Sequence, residues 1–138
     1  MNLAVYKNAI ESVPSTALSK INPAVDDVSF VYEGGVSEVA FEFDENQSLW
    51  AVTRNEDGDD SGFGSHVCRA DTGKLGNWRC PTQSDPARYD SPEMFRHGKD
   101  LYMVARRDIG GDFKDGDLVA YSSRPKTTAL YQIDRASE

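Results

Sequence analysis

Apolar and polar residues alternate along two stretches of this chain, and each stretch predicts a β-hairpin. From residue 38 to residue 43, acidic or small residues alternate with large apolar ones, as in a strand with one buried face. A polar run at 44–47 supplies the turn, and the β-branched and aromatic run at 49–53 supplies the second strand. The same order of strand, turn and strand returns between Ser91 and Asp108.

The two stretches repeat each other in detail. Arg54 ends the second strand of the first stretch and Arg106 ends that of the second, at an offset of 52 residues. Each arginine is followed by an acidic, glycine-containing loop, at 55–58 and at 107–111. A period of about 50 residues built from short strands is typical of the blades of a β-propeller.

The repeat predicts an all-β fold of antiparallel, four-stranded, blade-like units within a single domain, 1–138. Residues 36–81 form the first unit, residues 90–134 the second, and residues 1–35 a lead-in or incomplete blade. The predicted strands are 37–43, 48–54, 64–70, 77–80, 92–96, 100–106, 117–122 and 128–133. A ring of four blades needs about 200 residues at this period, so the prediction is a partial β-propeller, with a small β-sandwich as the alternative. Because an open arc exposes apolar faces, we expect association with copies of the chain or with missing blades.

Composition argues against two classes of partner. The 138 residues carry a formal net charge of −8 and the pI is near 4.7. Nucleic acid phosphates and anionic membrane surfaces would both repel such a chain, so neither is expected as a partner. No apolar run is long enough to span a bilayer, and residues 1–9 lack the apolar core of a signal peptide.

Two cysteines, Cys68 and Cys80, flank a turn-rich segment at 70–77. If the two flanks form a hairpin, the thiols face each other within disulfide range. A disulfide would favour an exported protein, and the alternative of two buried free thiols would favour a cytoplasmic one.

The first hairpin resembles the inner-strand hairpin of the sialidase (neuraminidase) superfamily of propellers, in the segments SEVAFEF and SLWAVTRNE. The resemblance implies that Glu38 matches the glutamate that activates a tyrosine nucleophile. It also implies that Arg54 and Arg106 belong to the arginine cluster that binds the sialic acid carboxylate, with Asn55 beside it. The segment from Asp71 to Trp78 is similar to that family's Asp-box turn. No position clearly matches the family's nucleophilic tyrosine, its catalytic acid or its remaining arginine, so the resemblance implies an incomplete site.

Four ionisable residues are predicted to converge at one end of the strands: Glu38, Arg54, Asp90 and Arg106. Asp90 precedes the first strand of the second unit, where a carboxylate suits an acid catalyst or a ligand for a sugar hydroxyl. Two guanidinium groups can bind a substrate carboxylate in bidentate geometry. The alternatives are a surface salt bridge between Glu38 and Arg54 and ordinary turn chemistry at Asp90.

The loop at 55–62 is the densest acidic cluster of the chain. Asp57, Asp59 and Asp60 around a glycine suit Ca²⁺, which prefers oxygen ligands. A solvated acidic turn is the favoured alternative, and no other cofactor is expected. His66 and His97 lack accompanying zinc ligands, and the serines lack the sequence context of a nucleophile with histidine and aspartate partners.

Two functional hypotheses follow. The first is a carbohydrate-active, sialidase-like propeller segment that binds or hydrolyses an acidic sugar through an arginine and carboxylate pocket. If the protein is an enzyme, it is a glycoside hydrolase of sialidase type, but this chain alone would lack a complete site. The second is a non-catalytic repeat module that binds a ligand or protein, or a structural domain.

Overall fold

The protein, described here by a computed structural model, is built from two antiparallel β-sheets over residues 31–109 and 118–135. The first sheet has the order β1-β2-β3-β4 and the second has the order β5-β6-β7. The strands are β1 Val36–Phe43, β2 Leu49–Asp59, β3 Gly62–Ala70, β4 Trp78–Arg79, β5 Asp90–His97, β6 Asp100–Asp108 and β7 Lys126–Gln132. One short helix, α1, spans Leu118–Ser123. The predicted all-β class is confirmed, and the two sheets are open.

The pairing of the first two hairpins agrees with the repeat. Glu38 lies opposite Arg54 between β1 and β2, and Asp90 lies opposite Arg106 between β5 and β6. Each sheet therefore has a carboxylate near the start of its first strand that lies opposite an arginine of the next strand. The strands do not end at these arginines as predicted, because β2 continues to Asp59, through most of the predicted acidic loop, and β6 continues to Asp108. The hairpin register was readable from the sequence because period-2 alternation allows only one register to bury the apolar face.

The two sheets pack face to face through side chains from the middle strands. Val52 of β2 packs against Met103 and Ala105 of β6, and all three are at most 1% exposed. On the opposite face of the first sheet, Val31 contacts Ala51 and Cys68 in a second cluster. Successive side chains of a strand point to opposite faces, so β2 contributes to both cores.

The strand predicted at 117–122 is wrong for its described residues, 118–122, because α1 occupies Leu118–Ser123. A short apolar run fits a buried strand and a helix equally well on periodicity alone. The helix is stabilised by two hydroxyl bonds to its own carbonyls, from Ser122 to Leu118 at 2.6 Å and from Ser123 to Ala120 at 2.8 Å. The described part of the second unit therefore has three strands, where four were predicted.

The predicted hairpin around the cysteines is present, and Cys68 and Cys80 form a disulfide with Cα atoms 4.3 Å apart. The turn between β3 and β4 is ordered by Asp71, whose Oδ1 lies 3.1 Å from guanidinium nitrogens of both Arg69 and Arg79. The disulfide is compatible with an exported protein.

Most of the predicted lead-in, 1–30, lies outside the described residues. Of the helical segments in the described ranges, none is long and apolar enough to cross a membrane.

Candidate functional site

One buried carboxylate, that of Asp90, lies at the centre of a cluster of charged residues between the two sheets. Its side chain has no solvent exposure. Arg54 Nη1 lies 2.9 Å and Arg88 Nε 2.6 Å from Asp90 Oδ1, while Arg106 Nη2 lies 2.9 Å from Oδ2. The Tyr121 hydroxyl donates a further hydrogen bond to Oδ2. Four residues from four segments of the chain thus meet at the Asp90 carboxylate.

Two further carboxylates balance the arginines. Glu56 accepts hydrogen bonds from Arg54 Nη2 at 2.8 Å and Arg88 Nη2 at 2.6 Å. Glu38 Oε2 lies 2.9 Å from Arg54 Nη1 and accepts a 2.6 Å bond from the backbone N–H of Ser91. Glu38 thereby joins β1 to β5. The cluster contains three arginines and three carboxylates, so its formal charges cancel.

Access to the cluster differs between its members. The side chains of Arg54 and Arg88 are 11% and 5% exposed, whereas that of Arg106 is 52% exposed and that of Glu38 is 33% exposed. Arg106 and Glu38 therefore form the solvent-facing rim, and Arg54, Arg88 and Asp90 form the interior.

Tyr121 is held in place through both its hydroxyl group and its aromatic ring. Its hydroxyl bonds to Asp90, and its ring lies 4.5 Å from the guanidinium carbon of Arg88 and 3.9 Å from Lys126 Nζ. Cations over an aromatic face are attracted by its negative π-system. These contacts fix α1 against the charged cluster.

These contacts determine the protonation states of Asp90 and Tyr121. Burial alone would raise the pKa of Asp90, but the hydrogen bonds from Tyr121, Arg88 and Arg106 outweigh burial and lower this pKa to about 2. Burial and the hydrogen bond to Asp90 raise the pKa of Tyr121 to about 12. At neutral pH Asp90 is therefore ionised and Tyr121 retains its proton.

All four residues predicted to converge lie in this cluster: Glu38, Arg54, Asp90 and Arg106. Their catalytic and substrate-binding roles remain predictions. Asn55, the other predicted substrate ligand, is fully buried and directs its side-chain amide to the Gly62 carbonyl at 2.7 Å. Because neighbouring strand residues alternate in direction, Asn55 lies on the face opposite Arg54.

Sequence reasoning missed Arg88, Glu56 and Tyr121. Arg88 lies in a connector that was predicted to be irregular, although its spacing of two residues from Asp90 is the spacing of side chains on one strand face. Glu56 has the same spacing from Arg54. Tyr121 carried no usable signal, because its segment was predicted to be a strand.

A second polar cluster forms on the other face of the first sheet, around Ser61. The Ser61 Oγ lies 2.5 Å from Asp59 Oδ1, 2.9 Å from His66 Nε2 and 2.9 Å from the Tyr32 hydroxyl. The expectation that the serines lack histidine and aspartate partners is wrong for Ser61. The arrangement still differs from a catalytic triad, because Asp59 bonds to the serine and not to the histidine.

The Asp59 carboxylate is fully engaged by its neighbours. It accepts hydrogen bonds from Tyr32, from the Ser61 backbone and hydroxyl, and from the Gly35 backbone. Burial opposes ionisation, but these bonds lower its pKa to about 2. Across residues 31–109 and 118–135, no group of three or more acidic, histidine or cysteine side chains is placed to hold a metal ion. The Ca²⁺ site at Asp57, Asp59 and Asp60 stays a prediction.

Comparison of the chain with protein-family models, with curated proteins and with solved structures found no match.

Proposed function

We propose that the chain is a sialidase-like, carbohydrate-binding module that recognises the carboxylate of an acidic sugar at the rim formed by Arg106 and Glu38. The observation that carries this proposal is the half-exposed guanidinium of Arg106 at the edge of a buried arginine cluster. The resemblance of the first hairpin to the inner-strand hairpin of sialidases supports the same proposal, with Arg106 at the equivalent position of the second unit.

Arg106 retains hydrogen-bonding capacity for a ligand. A guanidinium carries five N–H donors, and the bonds to Asp90 involve only Nε and Nη2. Half of the Arg106 side chain is exposed, which leaves room for a ligand to approach it. Glu38, which is one-third exposed, supplies an acceptor for a sugar hydroxyl beside it.

The interior of the cluster orients this rim. Asp90 fixes Arg106 from behind, and the same carboxylate is held by Arg54 and Arg88. An arginine held in one geometry loses less conformational entropy when it binds a ligand. Removing solvent from a charge-assisted hydrogen bond also strengthens it.

Binding is better supported than hydrolysis. Asp90 is buried and ionised at neutral pH, so it does not deliver a proton to a glycosidic oxygen. Tyr121 is protonated and its hydroxyl already bonds to Asp90, so it is not a free nucleophile in this arrangement. Glu38 remains the predicted catalytic carboxylate, and hydrolysis needs a partner for it.

The test of the binding site is an Arg106→Ala variant, with Arg107→Ala as its control. Both arginines are exposed and lie next to each other on β6, but consecutive strand residues point to opposite faces. We expect the wild-type protein to bind N-acetylneuraminic acid but not N-acetylglucosamine in calorimetric titrations. Loss of a charge-assisted bond costs about 1.5–3 kcal/mol, so Arg106→Ala should weaken binding at least about tenfold.

Arg107→Ala removes the same charge and should leave the affinity within about twofold of wild type. Equal losses in the two variants, or equal binding of the neutral sugar, would contradict a specific carboxylate site. Release of the fluorophore from a fluorogenic sialoside, abolished in Glu38→Gln, would instead establish hydrolysis.

The alternative function is a non-catalytic scaffold, and the balance of charges in the cluster favours it. Three arginines and three carboxylates satisfy one another without any ligand. In that case Arg106→Ala would lower the free energy of unfolding and no acidic sugar would bind.

A further inference from the structure

A cavity of about 460 Å³ lies between the first sheet and the segment that follows β7. Residues of β2, β3 and β4 line it, together with a residue two positions after the end of β7. A volume of this size is typical of small-molecule sites, which combine an apolar wall with a few polar groups. The lining includes apolar or aromatic side chains and three charged ones: Trp50, Val67, Pro81, Arg69, Arg79 and Asp134.

Two arginines and a tryptophan of this lining form one row across three strands. Trp50 lies opposite Arg69 between β2 and β3, and Arg69 lies opposite Arg79 between β3 and β4. Side chains of directly opposed residues share one face of a sheet. The Arg69 guanidinium lies over the Trp50 ring, 5.3 Å from its centroid. The cavity wall therefore presents two neighbouring guanidinium groups beside an aromatic ring.

The charges of this row favour an anion. Like charges in directly opposed positions of a sheet are destabilising, so a pair of arginines at Arg69 and Arg79 needs a negative partner. Asp71 supplies one, since its Oδ1 lies 3.1 Å from Nη2 of both arginines. Among the described residues that line the cavity, however, the two arginines accompany one aspartate, Asp134. In a chain with a formal net charge of −8, an excess of positive charge in a cavity attracts an anionic ligand.

We propose that this cavity binds a small aromatic carboxylate. The two oxygens of a carboxylate accept charge-assisted hydrogen bonds from guanidinium groups, here those of Arg69 and Arg79. The ring of the ligand leaves water for the apolar wall at Val67 and Pro81. A planar ring suits this wall because guanidinium groups stack on aromatic faces, as Arg69 already does on Trp50.

The cavity is separate from the sugar site at Arg106 and Glu38, and this inference goes beyond that site. Trp50 and Arg54 lie four residues apart on β2, which corresponds to about 13 Å along a strand. The cavity lies at the Trp50 end of β2, next to the β3–β4 hairpin, whereas Arg54 contacts Glu38 in the charged cluster. A ligand of the cavity and an acidic sugar should therefore bind without competing.

The test is a titration with para-fluorobenzoate followed by fluorine NMR, with the neutral para-fluorobenzamide as the control ligand. We expect the wild type to bind the carboxylate at least about tenfold more tightly than the amide, because charge-assisted hydrogen bonds are stronger than neutral ones. Arg79→Gln should weaken binding of the carboxylate at least about tenfold for the same reason. The Arg79 side chain is 58% exposed, so far-UV circular dichroism of this variant should match the wild type.

The matched control is Arg107→Gln, which removes an exposed guanidinium from β6 of the second sheet and should leave the affinity within about twofold of wild type. Equal losses in the two variants, equal binding of the amide, or no binding of para-fluorobenzoate to the wild type would each overturn the proposal. So would displacement of para-fluorobenzoate by excess N-acetylneuraminic acid, since the carboxylate would then lie in the sugar site. If Arg79→Gln lowers the urea midpoint but binds para-fluorobenzoate as tightly as the wild type, the arginine pair is structural and the proposal is wrong.

Discussion

At the scale of residues, Asp90 explains why three arginines can lie together. Each guanidinium is paired with a carboxylate, and Asp90 serves all three arginines at once. A buried ion pair is costly to assemble but more costly to break, since removal of one partner leaves the other charged and desolvated. Loss of the Asp90 charge should therefore destabilise the fold strongly, because it would leave buried guanidinium groups without their shared carboxylate.

Asp90→Asn tests this argument, with Asp71→Asn as the matched control. Both aspartates hold more than one arginine, but the Asp71 side chain is 40% exposed and that of Asp90 is fully buried. We expect Asp90→Asn to lower the free energy of unfolding by about 3–5 kcal/mol in urea titrations. Asp71→Asn should cost about 0–1 kcal/mol, because surface ion pairs contribute little.

The same variant should change the pH dependence of stability. The pKa of Asp90 is lowered from 3.8 to about 2 in the folded state, so its contribution is fully present above the unfolded pKa. That contribution is lost as the pH falls from about 4 towards 2, because the unfolded chain then binds more protons. In Asp90→Asn the fall of the unfolding free energy over this range should be shallower. An identical slope in both proteins would mean that Asp90 does not titrate with a lowered pKa.

At the scale of elements, the β3–β4 hairpin depends on its covalent link. The pairing of β3 with β4 covers only two residue pairs, and the cysteines next to them are joined across a sequence separation of 12. A crosslink of this span restricts the unfolded chain and contributes roughly 3 kcal/mol. A two-residue strand has little else to hold it against the sheet edge.

Reduction of the disulfide should therefore lower the stability of the wild-type protein by about 2–4 kcal/mol, measured as the urea midpoint with and without a reductant. The double variant Cys68→Ala, Cys80→Ala serves as the control and should show one midpoint under both conditions. An unchanged wild-type midpoint after complete thiol release would show that the hairpin does not depend on the bond.

The elements that the sequence predicted correctly are those with long alternation. The pairing of Glu38 with Arg54 and of Asp90 with Arg106 could be predicted because both hairpins have the same order of strand, turn, strand and arginine. The helix α1 could not be predicted, because a short apolar run has no period of its own and Tyr121 is fixed by contacts from distant strands. Arg88 was missed for a related reason. A connector has no repeating pattern of apolar and polar residues, so the direction of its side chains cannot be predicted.

At the scale of the whole molecule, the two sheets share one core and one charged cluster. Val52 and Met103 meet in the core, while Asp90 from the second sheet holds Arg54 from the first. Because the two sheets share these buried contacts, we expect them to unfold cooperatively. The sequence therefore contains the unit twice, but the two sheets depend on each other for stability.

Met103→Ala tests this dependence. Both tryptophans, Trp50 and Trp78, belong to the first sheet, so tryptophan fluorescence, excited selectively over tyrosine, reports that sheet. Hydrogen exchange of the β6 amides reports the second sheet. Truncation of a buried methionine leaves a cavity and should cost about 2–5 kcal/mol, and we expect the two probes to shift to the same lower midpoint. Val119→Ala, at an 83% exposed site on α1, should move neither by more than about 0.5 kcal/mol. If the fluorescence midpoint stayed at the wild-type value while exchange in β6 accelerated, the sheets would be independent units, and the charged cluster would not couple them.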